Sequence, residues 1–202
     1  RSIPEDETFL SGFSNLLIHT IRNKHQKGYG ENHNYSFRSM DSDFFLVLNP
    51  DVRIKSNLID SLIPYFKTCT GVVAPRVLNS FGDIEDSCRK FPTMLNMIKR
   101  KLLKYKKNDY VFLESKPLEV EWVAGMFMLF RSSTYEKVKG FDERYYMYLE
   151  DADICRRLRK NGLSTIYITK YEIIHDARRA SRKNFKHLIW HLKSMVRFLF
   201  KI

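Results

Sequence analysis

At 202 residues, with 44% hydrophobic and 14% aromatic side chains, the chain can fill one substantial globular core, which excludes a disordered class. No apolar run nears the ~20 residues of a membrane span, and no signal-peptide pattern opens the chain. A formal charge of +12 requires an anionic partner (nucleic acid, anionic lipid or a phosphorylated small molecule), while three cysteines without CxxC spacing argue for a reducing compartment and against a disulfide framework or zinc knuckle.

Residues 1–15 carry little periodicity and read as an irregular lead-in. Residues 16–22 (LLIHTIR) are short and apolar, as a strand would be, and KGYGENHN then reads as a Gly- and Asn-rich loop entering a helix over 35–39. Phe44–Leu48 is a continuous apolar run of strand length, the pattern of a strand buried on both faces. It stops at Asn49-Pro50-Asp51, after which Ser56 has the look of an N-cap for a helix over 57–66. A short strand follows at 72–74. Residues 79–118 are polar and basic, with a helix expected over 93–105. Residues 120–130 are apolar around Gly125, and a helix is expected over 133–137. Gly140-Phe141-Asp142 turns the chain into a helix over 149–161 that Gly162 ends. A last strand at 165–168 and a long helix over 182–202 complete the order. Strands alternating with helices predict an α/β domain with a mainly parallel sheet.

Four places carry chemistry. Asp51 ends a buried strand at the carboxyl edge of the sheet, where open α/β sheets bind ligands; it is either a ligand for a hard divalent cation or a turn aspartate. In the Glu150-Asp151 pair, neighbours diverge by ~100°, so only one faces a cleft. Asp151 shares the apolar face of Ile154, Cys155 and Leu158, whereas Asp153 lies one turn before Arg156 and Arg157, where surface ion pairs form. His175 follows a strand and precedes Arg178, Arg179 and Ser181, a set suited to a cation and a diphosphate. His187 and His191 stand at i and i+4 but lack a third ligand. In the last helix Phe185, Leu188, Ile189, Leu192, Val196 and Leu199 keep helical spacing among Lys186, Lys193, Arg197 and further basic residues. Such a helix either lies in the headgroup layer of an anionic membrane or packs on the domain.

Taken in order, these segments resemble the family 2 inverting glycosyltransferases, above all the rhamnosyltransferase-like branch that builds bacterial surface polysaccharides. KGYGENHN resembles that family's donor loop, LNPDV its variant of the Asp-x-Asp metal motif, and EWVAGMFMLFRSS its acceptor-side segment. GFDERYYMYLEDADICRRLRKNG is similar to the block with the catalytic base, and HDARRAS to the late histidine segment. The likeness covers roughly residues 21–200. It implies a GT-A, Rossmann-like α/β domain over 1–180, with helices flanking the sheet and a basic amphipathic helix over 181–202. Asp151 would be the general base. Asp51 and His175 would hold Mg²⁺ or Mn²⁺. Asn34, Asn49, Arg178, Arg179 and Ser181 would bind the donor, and Trp122, Gly125 and Glu150 the acceptor.

The resemblance further implies a dTDP- or UDP-linked sugar as donor, a saccharide or lipid-linked saccharide as acceptor, and work in the cytoplasm against an anionic membrane surface. The family normally opens with an apolar strand and a Thr-Tyr-Asn type loop, neither visible before Leu16, and Gln26 stands where the family usually has Asn. The chain is therefore expected to be a fragment or a natural truncation. Two rivals are a non-catalytic remnant that binds a saccharide or partner, and a basic nucleic-acid-binding protein. No nucleic-acid motif or stacking platform accompanies the charge, so nucleic acid is not expected as a partner. A glycoside hydrolase needs two carboxylates ~5–10 Å apart across a sugar, whereas the adjacent acids here diverge.

Overall fold

The protein is described by a computed structural model covering residues 16–54, 57–93, 109–110, 116–175 and 185–200. Helix α1 (Tyr29–Arg38) leads into β1 (Phe44–Leu48) and β2 (Val52–Ile54). Then follow α2 (Leu58–Leu62), β3 (Thr70–Leu78), β4 (Cys88–Arg89), β5 (Pro117–Val120), β6 (Trp122–Val123) and β7 (Phe127–Arg131). Helices α3 (Ser132–Lys137) and α4 (Glu150–Lys160), strand β8 (Ser164–His175) and helix α5 (Phe185–Phe200) complete the order.

The main sheet runs β1-β7-β3-β8-β2, with β5 also paired to β8. At 12 residues β8 is long enough to take two partners on one edge, β5 along Thr165–Ile168 and β2 along Ile173–His175. The α/β architecture with helices against a sheet is as expected, but the strand directions are not mainly parallel. Among the described residues only β3 and β8 pair in parallel; β1–β7, β3–β7, β2–β8 and β5–β8 are antiparallel. The apolar run read as buried on both faces, β1, ends the described sheet and alternates partly buried and buried residues, whereas β7, buried at four successive positions, lies antiparallel to both neighbours. Direction is set by the connections, which an apolar run does not encode.

Strand pleating divides the core into two layers. Val72, Ala74, Met128 and Phe130 point toward Tyr135, Phe141, Ile154, Cys155 and Leu158, on the side of α3 and α4. Val73, Val77, Phe127 and Leu129 point the other way, toward Leu58, Leu62 and Phe66. Helix α4 ends as the sequence indicates, with Gly162 at φ 73°.

Several elements differ from expectation. Residues 16–22 form no strand and are exposed, and no ladder among the described residues includes them. Helix α1 starts inside the segment read as a loop. Its glycines serve close approach: a Cβ on Gly28 would stand 2.8 Å from the Tyr146 carbonyl oxygen, and one on Gly30 would stand 2.6 Å from Phe141 Cβ. Ser56 and most of the expected 93–105 helix lie outside the described residues.

Candidate active site

Strand pairing assembles one half of the site. β1 delivers Asn49-Pro50-Asp51 to its carboxyl end, and a turn closed by Val52 N–H donating to the Asn49 carbonyl (3.2 Å) starts β2. Val52 pairs with His175 in the β2–β8 ladder. The residue before Val52 is thus carried to the end of β8, and His175 Nε2 lies 3.3 Å from Asp51 Oδ1. His175 is buried and its Nδ1 has no hydrogen-bond partner among the described residues, while the Asp51 side chain is 34% exposed. Two adjacent donors at a strand edge suit a divalent cation that draws its remaining ligands from phosphate oxygens and water. Among the described residues, no group of three His, Cys, Asp or Glu is placed to hold a cation alone.

The other half comes from the turn before β7 and the start of α4. Asn49 N–H donates to the Met126 carbonyl at 3.0 Å, which carries the β1–β7 ladder one step further and sets Gly125 beside Asn49. Gly125 N–H donates to Asp151 Oδ2 at 2.9 Å, and Ala152 N–H donates to Asp151 Oδ1 at 2.8 Å. Glu150 is only 6% exposed, and its Oε2 has no hydrogen-bond partner among the described residues. Burial, and next the charge of Asp151, push the Glu150 carboxyl up to about 8. Burial raises Asp151 too, opposed by its two backbone donors. Those two donors favour the ionised form of Asp151, while burial holds the Glu150 proton near neutrality.

This pair makes a pH prediction. An acid whose folded-state pKa lies above its unfolded value stabilises the fold below the unfolded value, and the contribution is lost as pH rises through the folded one. From about pH 7, above the ordinary value of 6.5 through which His33 and His191 (both lowered by burial in the fold) lose their protons in the unfolded chain, up to pH 8, the melting temperature should therefore fall. Glu150→Gln should flatten that slope in thermal melts. An unchanged slope would place the titration elsewhere.

Tyr29 ties the halves together. Its hydroxyl lies 2.7 Å from the Gly125 carbonyl and 3.0 Å from Asn49 Oδ1, donating between these two oxygens. Burial first, then the charges of Glu150 and Asp151, hold the phenol well above its ordinary range, so it stays a donor. Sequence reading missed Tyr29. Its one signal is an aromatic side chain between two glycines, which cannot reveal a partner 96 residues away.

Other expected residues fall elsewhere. Asn34 is buried in α1 and fully engaged: its amide donates to Phe141 O and Glu143 Oε1, and its Oδ1 accepts from Tyr135 Oη and Phe141 N–H. It fastens α1 to the 141–143 turn and has no group left for a donor sugar. Trp122 is buried, its indole N–H donating to Lys90 O at 3.0 Å. It supports the β4–β6 ribbon rather than lining an open face. Asp153 is no surface residue. At 5% exposure it accepts from Arg156 (2.9 Å) and Arg157 (2.7 Å), because α4 turns that side toward the 138–140 turn. Arg178, Arg179 and Ser181 lie outside the described residues. A cleft of about 730 Å³ bordered by Arg38, Asp41, Asp43 and Arg131 opens at the amino end of β1, away from the carboxylates.

With this geometry in place, comparison with known proteins identifies the family of the chain. The sequence pattern of "Glycosyltransferase like family 2" matches residues 10–192. The chain belongs to that family. It is 35% identical over 190 residues to Rhamnosyltransferase WbbL of Escherichia coli (strain K12), covering 85% of this chain and 70% of that protein. It is 32% identical over 168 residues to the N-acetylglucosaminyl-diphospho-decaprenol L-rhamnosyltransferase of Mycobacterium tuberculosis (strain ATCC 25618 / H37Rv), with 78% of this chain and 55% of that protein covered. The chain thus spans little more than half of this second relative. Among solved structures, GalNAc-T7 with UDP, GalNAc and Mn²⁺ superposes at TM-score 0.67 and 14% identity, over 95% of this chain and 39% of that one. The mannosyltransferase PcManGT from Pyrobaculum calidifontis with GDP-Man and Mn²⁺ gives 0.58 and 13%, over 94% and 49%. At such identities the two show a shared GT-A fold.

Proposed function

We propose that the chain transfers rhamnose or a similar hexose, with inversion, from a dTDP- or UDP-linked sugar to a saccharide or lipid-linked saccharide in cell-surface polysaccharide synthesis. The observation that carries this reading is Asp151. It is held by two backbone N–H groups beside a proton-retaining Glu150, and joined through Gly125 and Tyr29 to the strand end bearing Asp51. The name of the M. tuberculosis relative specifies a diphospho-decaprenol acceptor, which supports a lipid-linked acceptor here and a place in the cytoplasm at the inner face of the cell membrane.

In this mechanism Asp151 takes the proton of the acceptor hydroxyl as its oxygen bonds to the anomeric carbon. The bond from that carbon to the diphosphate breaks, the electron pair leaving with the diphosphate, and attack from the opposite face inverts the centre. Glu150, protonated, adds no second negative charge beside the base. Tyr29 fixes Gly125, and Gly125 fixes the Asp151 carboxylate. Asp51 and His175 would hold Mg²⁺ or Mn²⁺, which when bound neutralises charge on the departing diphosphate. Arg178, Arg179 and Ser181 keep their assignment to the diphosphate from sequence alone.

Calorimetric titration with UDP and dTDP, with and without Mn²⁺, tests the donor half. Binding should depend on the cation, and Asp51→Ala should weaken it about tenfold or more, roughly 1.4 kcal/mol, only when Mn²⁺ is present. Cation-independent binding, or none to either nucleotide, would remove the donor assignment.

A further inference from the structure

Helix α5 turns an unusual face to solvent. Phe185, Leu188, Ile189, Leu192, Val196 and Phe200 are exposed, Phe185 at 74% and Phe200 at 62%. At roughly 100° per residue these six fall within an arc of about 120°. Lys186, Lys193 and Arg197 follow one another along one border of that arc. The helix contains no acidic residue.

The opposite face is packed and bonded to the segment that delivers Asp151. Ser194, Met195 and Phe198 are buried. Ser194 Oγ donates to Met147 O at 2.8 Å, and Tyr148 Oη shares a 2.8 Å hydrogen bond with His187 Nδ1. The Trp190 ring lies 4.7 Å from that of Tyr146, and Arg197 donates to Arg144 O. Immediately before Glu150 and Asp151, Tyr148 and Leu149 adopt φ 75° and 64°. Side chains with a Cβ rarely hold that left-handed backbone unless their surroundings impose it. For Tyr148, the surroundings that bear on its ring include His187 and His191 of α5.

We infer that α5 docks on an anionic lipid bilayer and that its seating there sets the 144–149 segment, and through it Asp151. The inference rests on the reading of Asp151 as the base of sugar transfer. An apolar arc with a wholly cationic border matches the boundary between acyl chains and acidic headgroups: the apolar side chains enter, and the lysine and arginine heads meet phosphate. A second copy of the chain would instead bring the same cationic border against itself, in a protein already at +12. The bilayer fixes one face of α5, and the other face carries the contacts to Met147 and Tyr148. A catalytic segment held in strained backbone is thereby completed where a lipid-linked acceptor resides.

The test uses the whole chain with vesicles of phosphatidylcholine alone and of phosphatidylcholine mixed with phosphatidylglycerol. Cosedimentation should favour the anionic vesicles by about tenfold or more and weaken with salt. Leu188→Glu with Leu192→Glu, both exposed positions, should abolish it. Hydrogen exchange of amides 146–152 should slow about tenfold on the anionic vesicles, roughly 1.4 kcal/mol of added protection. Tyr148→Phe should keep docking and lose the slowing. Retention in solution with both vesicles, or equal binding to both, overturns the docking. So does a dimer that the Leu188→Glu, Leu192→Glu variant dissolves. Docking with unchanged exchange overturns the link to Asp151. Neither readout needs sugar transfer, so a chain without transferase activity can still confirm or refute this inference.

Discussion

Asp151→Asn is expected to lower kcat of sugar transfer by about a hundred- to ten-thousand-fold, the usual contribution of a general base. The substitution keeps the shape of the side chain and one oxygen to accept from Gly125 or Ala152, so the start of α4 stays formed. It removes the lone pair and charge that accept the proton from the acceptor hydroxyl. Nucleotide binding involves the Asp51 edge, so donor affinity should stay within about threefold, the pattern of an interaction needed only in the transition state. The removed charge is also the second cause of the raised Glu150 carboxyl, so that carboxyl should fall from about 8 while burial still keeps it above its ordinary 4.5. Steady-state kinetics beside donor titration separate the outcomes. Parallel loss of kcat and donor affinity would make Asp151 a structural residue, and unchanged kcat would leave the reaction without its base.

The core of this site was legible because its residues sit at element ends that the sequence marks clearly. Asp51 follows an apolar run broken by Asn-Pro, and Asp151 opens a helix whose last turn meets Gly162. Their joining was expected from family resemblance, but the joining atoms were not foreseen. Gly125 lends Asp151 its backbone N–H, and Tyr29 reaches the same residue's carbonyl; backbone groups leave no trace in residue type. Asn34 was misplaced for a related reason. Inside KGYGENHN, glycine and asparagine suggest a ligand-facing loop, yet here the glycines admit Tyr146 and Phe141, and the asparagine bonds to the same turn. Strand direction was hidden too, since β7 is buried on both faces while lying antiparallel to β1 and β3.

The acid that helical spacing assigned to the surface makes the second large prediction. Asp153→Ala should destabilise the protein by about 3 kcal/mol, the lower end of the cost of breaking a buried ion pair, because both arginines keep partial access to water. In a domain of this size that is a fall of roughly 6–12 °C in melting temperature. Asp153 accepts from two guanidinium groups that also donate elsewhere: Arg156 to Phe198 O at 2.6 Å, and Arg157 to Gly140 O at 2.7 Å and to Val138 O. One carboxylate thus fixes the turn before Phe141 and the end of α5 at once. Arg159→Ala on the same helix is the contrast. Its ion pair with Glu121 spans 3.4 Å with a 65% exposed side chain, and its loss should change stability by less than about 0.5 kcal/mol. If thermal melts give both variants the same small effect, Asp153 is an ordinary surface acid. A large loss for Asp153 alone makes it the joint through which α4 holds the 138–140 turn and the end of α5.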